Sequence, residues 1–201
     1  MTTTELLKRY AAGERDFQGI CLKGARLNDV DLSDINLSGA DLSYVEFKNV
    51  VLEHAILIGA EISGALLIDT KFRKANLFKC RMPGNVMENV DLRGANLSEA
   101  GIFSSFLINV RMSGANLRCT TLISDFSDVN FYNCFLLETN FETSRLTECS
   151  FASTEVNNVN MRRSKMMSVD FKDAKLNGCD FTDSTMSGVN LNEAIITNCK
   201  F

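Results

Sequence analysis

The chain has no tryptophan, one proline, one histidine and no long hydrophobic run. Each absence excludes something. A lone histidine, His54, leaves little for metal binding or acid–base chemistry. The longest apolar stretches, such as Ala65-Leu66-Leu67-Ile68, fall far below the roughly 20 residues of a membrane helix, so no membrane association is expected. The N-terminus reads Thr2-Thr3-Thr4-Glu5, without the apolar core of an export signal. Seven cysteines in such a chain suggest reduced thiols and a cytoplasmic location. With 45% hydrophobic and 23% charged residues, the 201-residue chain is too apolar to be disordered. It suits one globular domain or one elongated repeat array.

What is present is a period of five. Every fifth residue from Phe17 to Leu122 is large and apolar, 22 positions in all. Ser127 breaks the series, which resumes one residue early at Phe126 and runs to Phe201 for 16 more. With each such residue called the centre, i, position i−2 takes small or β-branched side chains, such as Ala25, Val30, Ala40 and Val169. Position i−1 is often Asp or Asn, as in Asp31, Asn36, Asp41, Asn76 and Asn96, and is expected to face water. Ten of the twelve glycines fall at i+2.

Five is neither a helical nor a strand period. A short extended segment followed by a turn fits, with Gly at i+2 supplying the positive φ of a type II turn. Four units make one square coil. The centres fill its middle, the small side chains at i−2 sit near its corners, and successive coils bond through their backbones. The 38 units predict about 9–10 coils and a rod of roughly 45 Å.

The units Ala40-Asp41-Leu42-Ser43, Ala95-Asn96-Leu97-Ser98 and Ala115-Asn116-Leu117-Arg118 carry a resemblance over residues 15–201. The pattern is similar to the pentapeptide repeat family. That resemblance implies an all-β solenoid, a right-handed quadrilateral β-helix. The opening segment Leu6 to Phe17 resembles cyanobacterial members.

Residues 1–14 read as an N-terminal cap and 15–201 as the β-helix. Thr2 and Glu5 have capping-box spacing, Leu6, Leu7, Tyr10 and Ala11 form an apolar face, and Gly13 is a stop signal. A short helix over 3–12 is therefore expected to cover the first coil. The last coil, with Leu191, Ile196 and Phe201, has no such cover. It invites self-association, or else stays a frayed, solvated end. The four-residue step from Leu122 to Phe126 is expected to be absorbed by a tightened turn at residues 123–125.

The candidate chemistry is thin. Cys80, Cys134, Cys149, Cys179 and Cys199 occupy i−2 and read as small core residues. Cys21 and Cys119 should point outward and are the candidate reactive thiols. His54 beside Glu53 lacks a pocket. No catalytic, cofactor-binding or metal site is expected, and the chain does not read as an enzyme. Charge is more informative: residues 1–70 carry net −5, residues 71–120 net +5 and residues 121–201 net −4. Lys71, Arg73, Arg93 and Arg111 should share one basic face, as a solvated surface or a binding one.

Position i−1 turns apolar at Leu66, Val86 and Phe106, spaced by 20, with Ile68 and Ile108 on the same face. Pro83, Phe103 and Ile123 make a second column on the adjacent face. These eight residues form a candidate protein-interaction patch or a packing ladder. The expected function is a non-catalytic interaction or scaffold protein with a rigid surface, in a regulatory role, for a partner that the sequence does not name. The resemblance also implies an alternative, a DNA-mimic modulator of a type II topoisomerase (gyrase). That role needs a continuous acidic surface, which the basic belt interrupts. Direct nucleic-acid binding is not expected.

Overall fold

A five-residue repeat with one large apolar centre closes its backbone hydrogen bonds only by stacking on copies of itself. A computed structural model, describing residues 1–201, shows that arrangement. The chain is a parallel β-solenoid of about nine turns with a single short helix at its N-terminus. Coils bond in both directions: Leu22 N–H donates to Asp41 C=O at 2.8 Å, and Asp41 N–H donates to Ile20 C=O at 2.9 Å.

The four sides are denoted faces A to D. Face A holds residues 26–28, 46–48, 66–68, 86–88, 106–108, 125–127, 145–147, 165–167 and 185–187, which form a nine-stranded parallel sheet. Face B follows it and begins at Asp31, face C at Asn36 and face D at Asp41. All 34 centres from Phe17 to Phe181 are buried, in one continuous core with the inward side chains at i−2.

The sides are of two kinds, where the repeat predicted one. A closed corner carries a hydrogen-bonded turn, as where Ala25 N–H donates to Leu22 C=O at 2.8 Å across Gly24, φ +67°. An open corner lacks that bond: a three-residue strand ends in one left-handed residue, as at Asp29, φ 54°. Open corners favour Asp and Asn at i+2, whose side chains form ladders, Asn49 Nδ2 donating to Asp29 at 2.9 Å and Asn89 Nδ2 to Asp69 at 3.0 Å. Both residue types tolerate the left-handed region better than other non-glycine residues. Position i−2 after an open corner holds Val, Thr or Cys, as in Val30, Thr70, Val90 and Cys149. After most closed corners it holds Ala or Ser.

The Asp and Asn side chains at i−1 are more than periodic surface groups. Most accept a backbone N–H from two positions further along their own unit: Ser33 donates to Asp31 at 2.9 Å, Ser38 to Asn36 at 3.1 Å and Ser98 to Asn96 at 3.2 Å. This brace within the turn explains the preference.

The helix spans Thr3–Ala11, and the Thr2 side chain accepts from Glu5 N–H at 3.2 Å. Leu6 is buried over the first coil, and the Tyr10 hydroxyl donates to Ser33 C=O at 2.8 Å. Nothing packs on the last coil, where Met186, Ile196 and Phe201 are exposed.

The four-residue unit is not absorbed by a tightened turn. Residues Thr121–Ser127 run as one strand, and the corner residue itself is what is missing. Pairing passes from Phe103↔Ile123 to Phe106↔Asp125, so Ser104 has no counterpart in the next coil. The corner's backbone is satisfied by hydroxyls instead of a turn: Ser105 N–H donates to Ser124 Oγ, and Ser124 N–H donates to Ser144 Oγ, both at 3.2 Å.

Candidate functional site

The two apolar columns meet at one corner. Leu66, Val86 and Phe106 are in register on face A, each exposed at position i−1. Phe103 pairs with Ile123 on face D, and Pro83 C=O accepts from Gly64 N–H on the coil below. Ile68 and Ile108 flank the face A column, but they align with Glu88 between them. Ile68 and Ile108 therefore add to the face without forming a continuous second column on it.

Two features delimit this patch. Along face A an ion pair stands at each end: Arg26 with Glu46 at 2.8 Å and Arg145 with Asp125 at 3.9 Å. Between faces A and D the corner is low. Position i+2 there holds Tyr44, Gly64, Gly84 and Ser104, and then falls vacant at the short unit. A Cβ at Gly64 would lie 2.7 Å from the Tyr44 ring, so a larger residue there would push that exposed ring aside. From Gly64 onward no side chain larger than serine separates the two apolar columns, so they make one surface around the corner.

The loss of the corner residue opens a notch of 280 Å³ between Phe106, Ile123, Asp125 and Thr143, floored by Ser105 and Ser124. Sequence reasoning named Phe106 and Ile123 but missed the notch and the low corner. Their signals were the four-residue step and the run of small side chains at i+2.

The structure places Lys71, Arg73, Arg93 and Arg111 on face B, as expected, but they do not act as four equal cations. Arg93 grips Asp91 with two hydrogen bonds, at 2.8 and 2.6 Å. Burial alone would raise the Asp91 carboxyl. Arg93 and its own backbone N–H outweigh that and hold the carboxyl below its usual range. Asp91 lies between Lys71 and Arg111 in the ladder, so the basic face is divided. The Asp/Asn ladder of the open corner separates it from the apolar patch.

The cysteines divide into buried and exposed ones. Cys80, Cys134, Cys149 and Cys179 are buried, and burial pushes each thiol up to about 12. Cys80 Sγ donates to Leu57 C=O at 2.8 Å, as Thr120 Oγ1 donates to Leu97 C=O at 2.8 Å from the equivalent place. Cys199 is half-buried. Cys21 and Cys119 are exposed, but the Cys119 thiol is raised by desolvation and by Glu138, opposite to what a reactive thiol requires. His54 is exposed on its turn, and no group of three metal-ligating side chains forms.

These features define a class: a five-residue-repeat parallel β-solenoid whose distinctive surface is an apolar patch over a broken corner. The profile described as "Pentapeptide repeats (8 copies)" matches residues 20–57, 46–84, 70–101 and 85–118, and that described as "Pentapeptide repeat region" matches residues 124–201. The chain belongs to the pentapeptide repeat family, and the second match begins within the four-residue unit, after an unmatched stretch at 119–123. Among solved structures it is similar to HetL, a pentapeptide repeat protein involved in heterocyst differentiation regulation from the cyanobacterium Nostoc sp. strain PCC 7120. The identity is 21%, over 100% of this chain and 94% of that one, with a TM-score of 0.62. QnrB1, a plasmid-mediated fluoroquinolone resistance protein, is 17% identical over 92% of each chain, with a TM-score of 0.53. No curated relative matches the sequence.

Proposed function

We propose that the chain is a non-catalytic scaffold that offers faces A and D of its middle coils to a protein partner. The observation that carries this reading is the apolar surface running around one low corner, closed at both ends by ion pairs. Single apolar side chains are ordinary on a surface, but a contiguous patch with a polar border is the usual anatomy of an interface. A stacked backbone in which every inner coil bonds to two neighbours supplies rigidity, so little conformational freedom is lost on binding. A cytoplasmic setting, in which the seven thiols would be reduced, fits this reading.

The test uses two baits, the parent protein and the folded double variant Val86→Lys with Phe106→Glu. Partners retained from native lysate are identified by mass spectrometry. Partners lost selectively with the variant support the reading, and retention of all of them overturns it. The gyrase-directed alternative is set lower, because Lys71, Arg73 and Arg111 lie on one face without ion-pair partners. A supercoiling assay with added protein would restore it if gyrase were inhibited or protected.

A further inference from the structure

We propose that the notch at the four-residue unit takes a basic, amphipathic segment of a partner protein. An apolar side chain would seat between Phe106 and Ile123, with a neighbouring lysine or arginine at Asp125 and Glu142. This rests on the scaffold reading above and specifies the chemistry of the partner.

The shape comes first. Every other unit from Asp16 onward carries a residue at its corner, so only here does the corner recede, with Ser104 and Thr143 left as rims. At 280 Å³ the space lies below the range typical of small-molecule pockets and suits one or two side chains. Its floor is already satisfied. Ser124 Oγ donates to Ile102 C=O at 3.2 Å and accepts from Ser105 N–H, while Ser105 Oγ lies 3.2 Å from Met82 C=O and also accepts from Asn85 N–H at 3.0 Å. Such a floor offers an occupant packing rather than new hydrogen bonds. The walls are a phenylalanine ring 54% exposed and an isoleucine, both apolar.

Charge then selects the partner. On each face the apolar column is followed in the next coil by a carboxylate: Phe106 by Asp125 on face A and Ile123 by Glu142 on face D. Both carboxylates have only distant cations of their own, Arg145 at 3.9 Å from Asp125 and Arg163 at 3.8 Å from Glu142. Asn160 donates to Glu142 at 3.3 Å. A partner cation at ordinary charge-assisted distance, roughly 2.8 Å, would displace these contacts, and the Phe106 ring can face it. A nucleic-acid backbone is repelled by the same two groups. A second copy of the chain would bring its own Asp125 and Glu142 to the site, which opposes like charges.

The test is selection of random peptides of a dozen positions displayed on phage against the parent protein, followed by fluorescence anisotropy of the enriched peptides. The expected consensus is an apolar residue with Lys or Arg within two positions. Affinity should fall about tenfold or more in Phe106→Ser, and about fivefold in Asp125→Asn with Glu142→Gln or on raising the salt. Inserting glycine between Ile123 and Ser124 rebuilds the corner and should abolish binding. If that insertion does not fold, Ile123→Gln takes its place, with circular dichroism as the check on each variant. Neutral or acidic peptides that still need Phe106 would overturn the cationic specificity and leave the scaffold reading standing. Peptides indifferent to every variant, or no enrichment, would overturn the proposal, and so would a dimer that uses this face in sedimentation.

Discussion

The solenoid before Leu122 and the solenoid after Phe126 share one repeat and differ in cross-section. In the first part each coil has one open corner, after face A, and its other three are mostly turned. In the second part the corners after faces A and C are both open, which adds a four-stranded sheet at residues 135–137, 155–157, 175–177 and 195–197. The cores differ in step. Leucine dominates the centres of the first part, while the second has seven phenylalanines among sixteen centres, concentrated on its turned faces B and D. Phe131, Phe151 and Phe171 stack in one column with ring centroids 4.6 and 4.9 Å apart, and Phe141 meets Phe131 and Phe151 edge to face from the opposite side. The repeat therefore fixes stacking and register, while corner chemistry and centre volume decide the shape of the coil.

The largest expected effect tests the cores. Phe151→Ala should cost about 4 kcal/mol and Leu92→Ala about 3 kcal/mol in chemical denaturation, because a stack held from both sides cannot collapse into the void. A smaller loss for Phe151 than for Leu92 would break the comparison. The corner chemistry is tested next. Ala95 follows a closed corner and is buried in a column with Ala75 and Ala115, so the added methyls of Ala95→Val should cost about 2 kcal/mol. A neutral result would show that volume at i−2 does not distinguish the corners.

A third test concerns the border between the two parts. Asn85 opens the column that continues as Ser105, Ser124 and Ser144. Its Oδ1 accepts from Ala65 N–H at 2.7 Å, but its Nδ2 is buried without a partner. Asn85→Ser keeps an acceptor and removes the orphan donor, so stability should rise by about 1 kcal/mol. An unchanged or lower melting temperature would count against the hydroxyl column as the reason this corner straightens.

The smallest effect is a pH slope. The Asp31, Asp41 and Asp180 carboxyls are held below their ordinary range, first by the side-chain hydroxyls of Ser33, Ser43 and Thr182 and then by the same residues' backbone N–H groups. A carboxyl depressed in the folded state stabilises it above the unfolded value near 3.8, and that contribution is lost as pH falls through the folded value. Melting temperature should therefore drop on acidification below pH 4. Replacing all three by Asn, which braces the same turn at Asn36 and Asn96, should flatten that drop. An unaltered slope would place the acid sensitivity elsewhere.

Much of this was legible in the sequence. The 38 centres pointed to the coil size and to the buried set as far as Phe181, the last four being left open at the uncovered end, because a period that matches one side of a coil leaves little freedom in the register. The apolar columns followed from the same arithmetic. The two kinds of corner did not, since Gly24 and Asp29 both adopt a left-handed backbone and differ only in whether the following N–H reaches back across the turn. The notch was missed for another reason: it is made by a residue that is not there, and a pattern of side chains records only those present. The division of the basic face was not foreseen, because Asp91 is central to it in space and looks like one more repeat position in sequence.

The constant spacing of the coils also makes the surface a ruler. Side chains of one column recur at roughly 4.8 Å, whereas a helix laid along the rod offers a turn every 5.4 Å or so. Across the three coils of Leu66, Val86 and Phe106 the two scales drift apart by only about 1 Å, within the play of a side chain. Across all nine coils the drift reaches roughly 5 Å, a whole step of the ladder. A helical partner would thus find its place only over a short stretch, about the length of the apolar patch, while a partner built from stacked strands could keep count along the full rod.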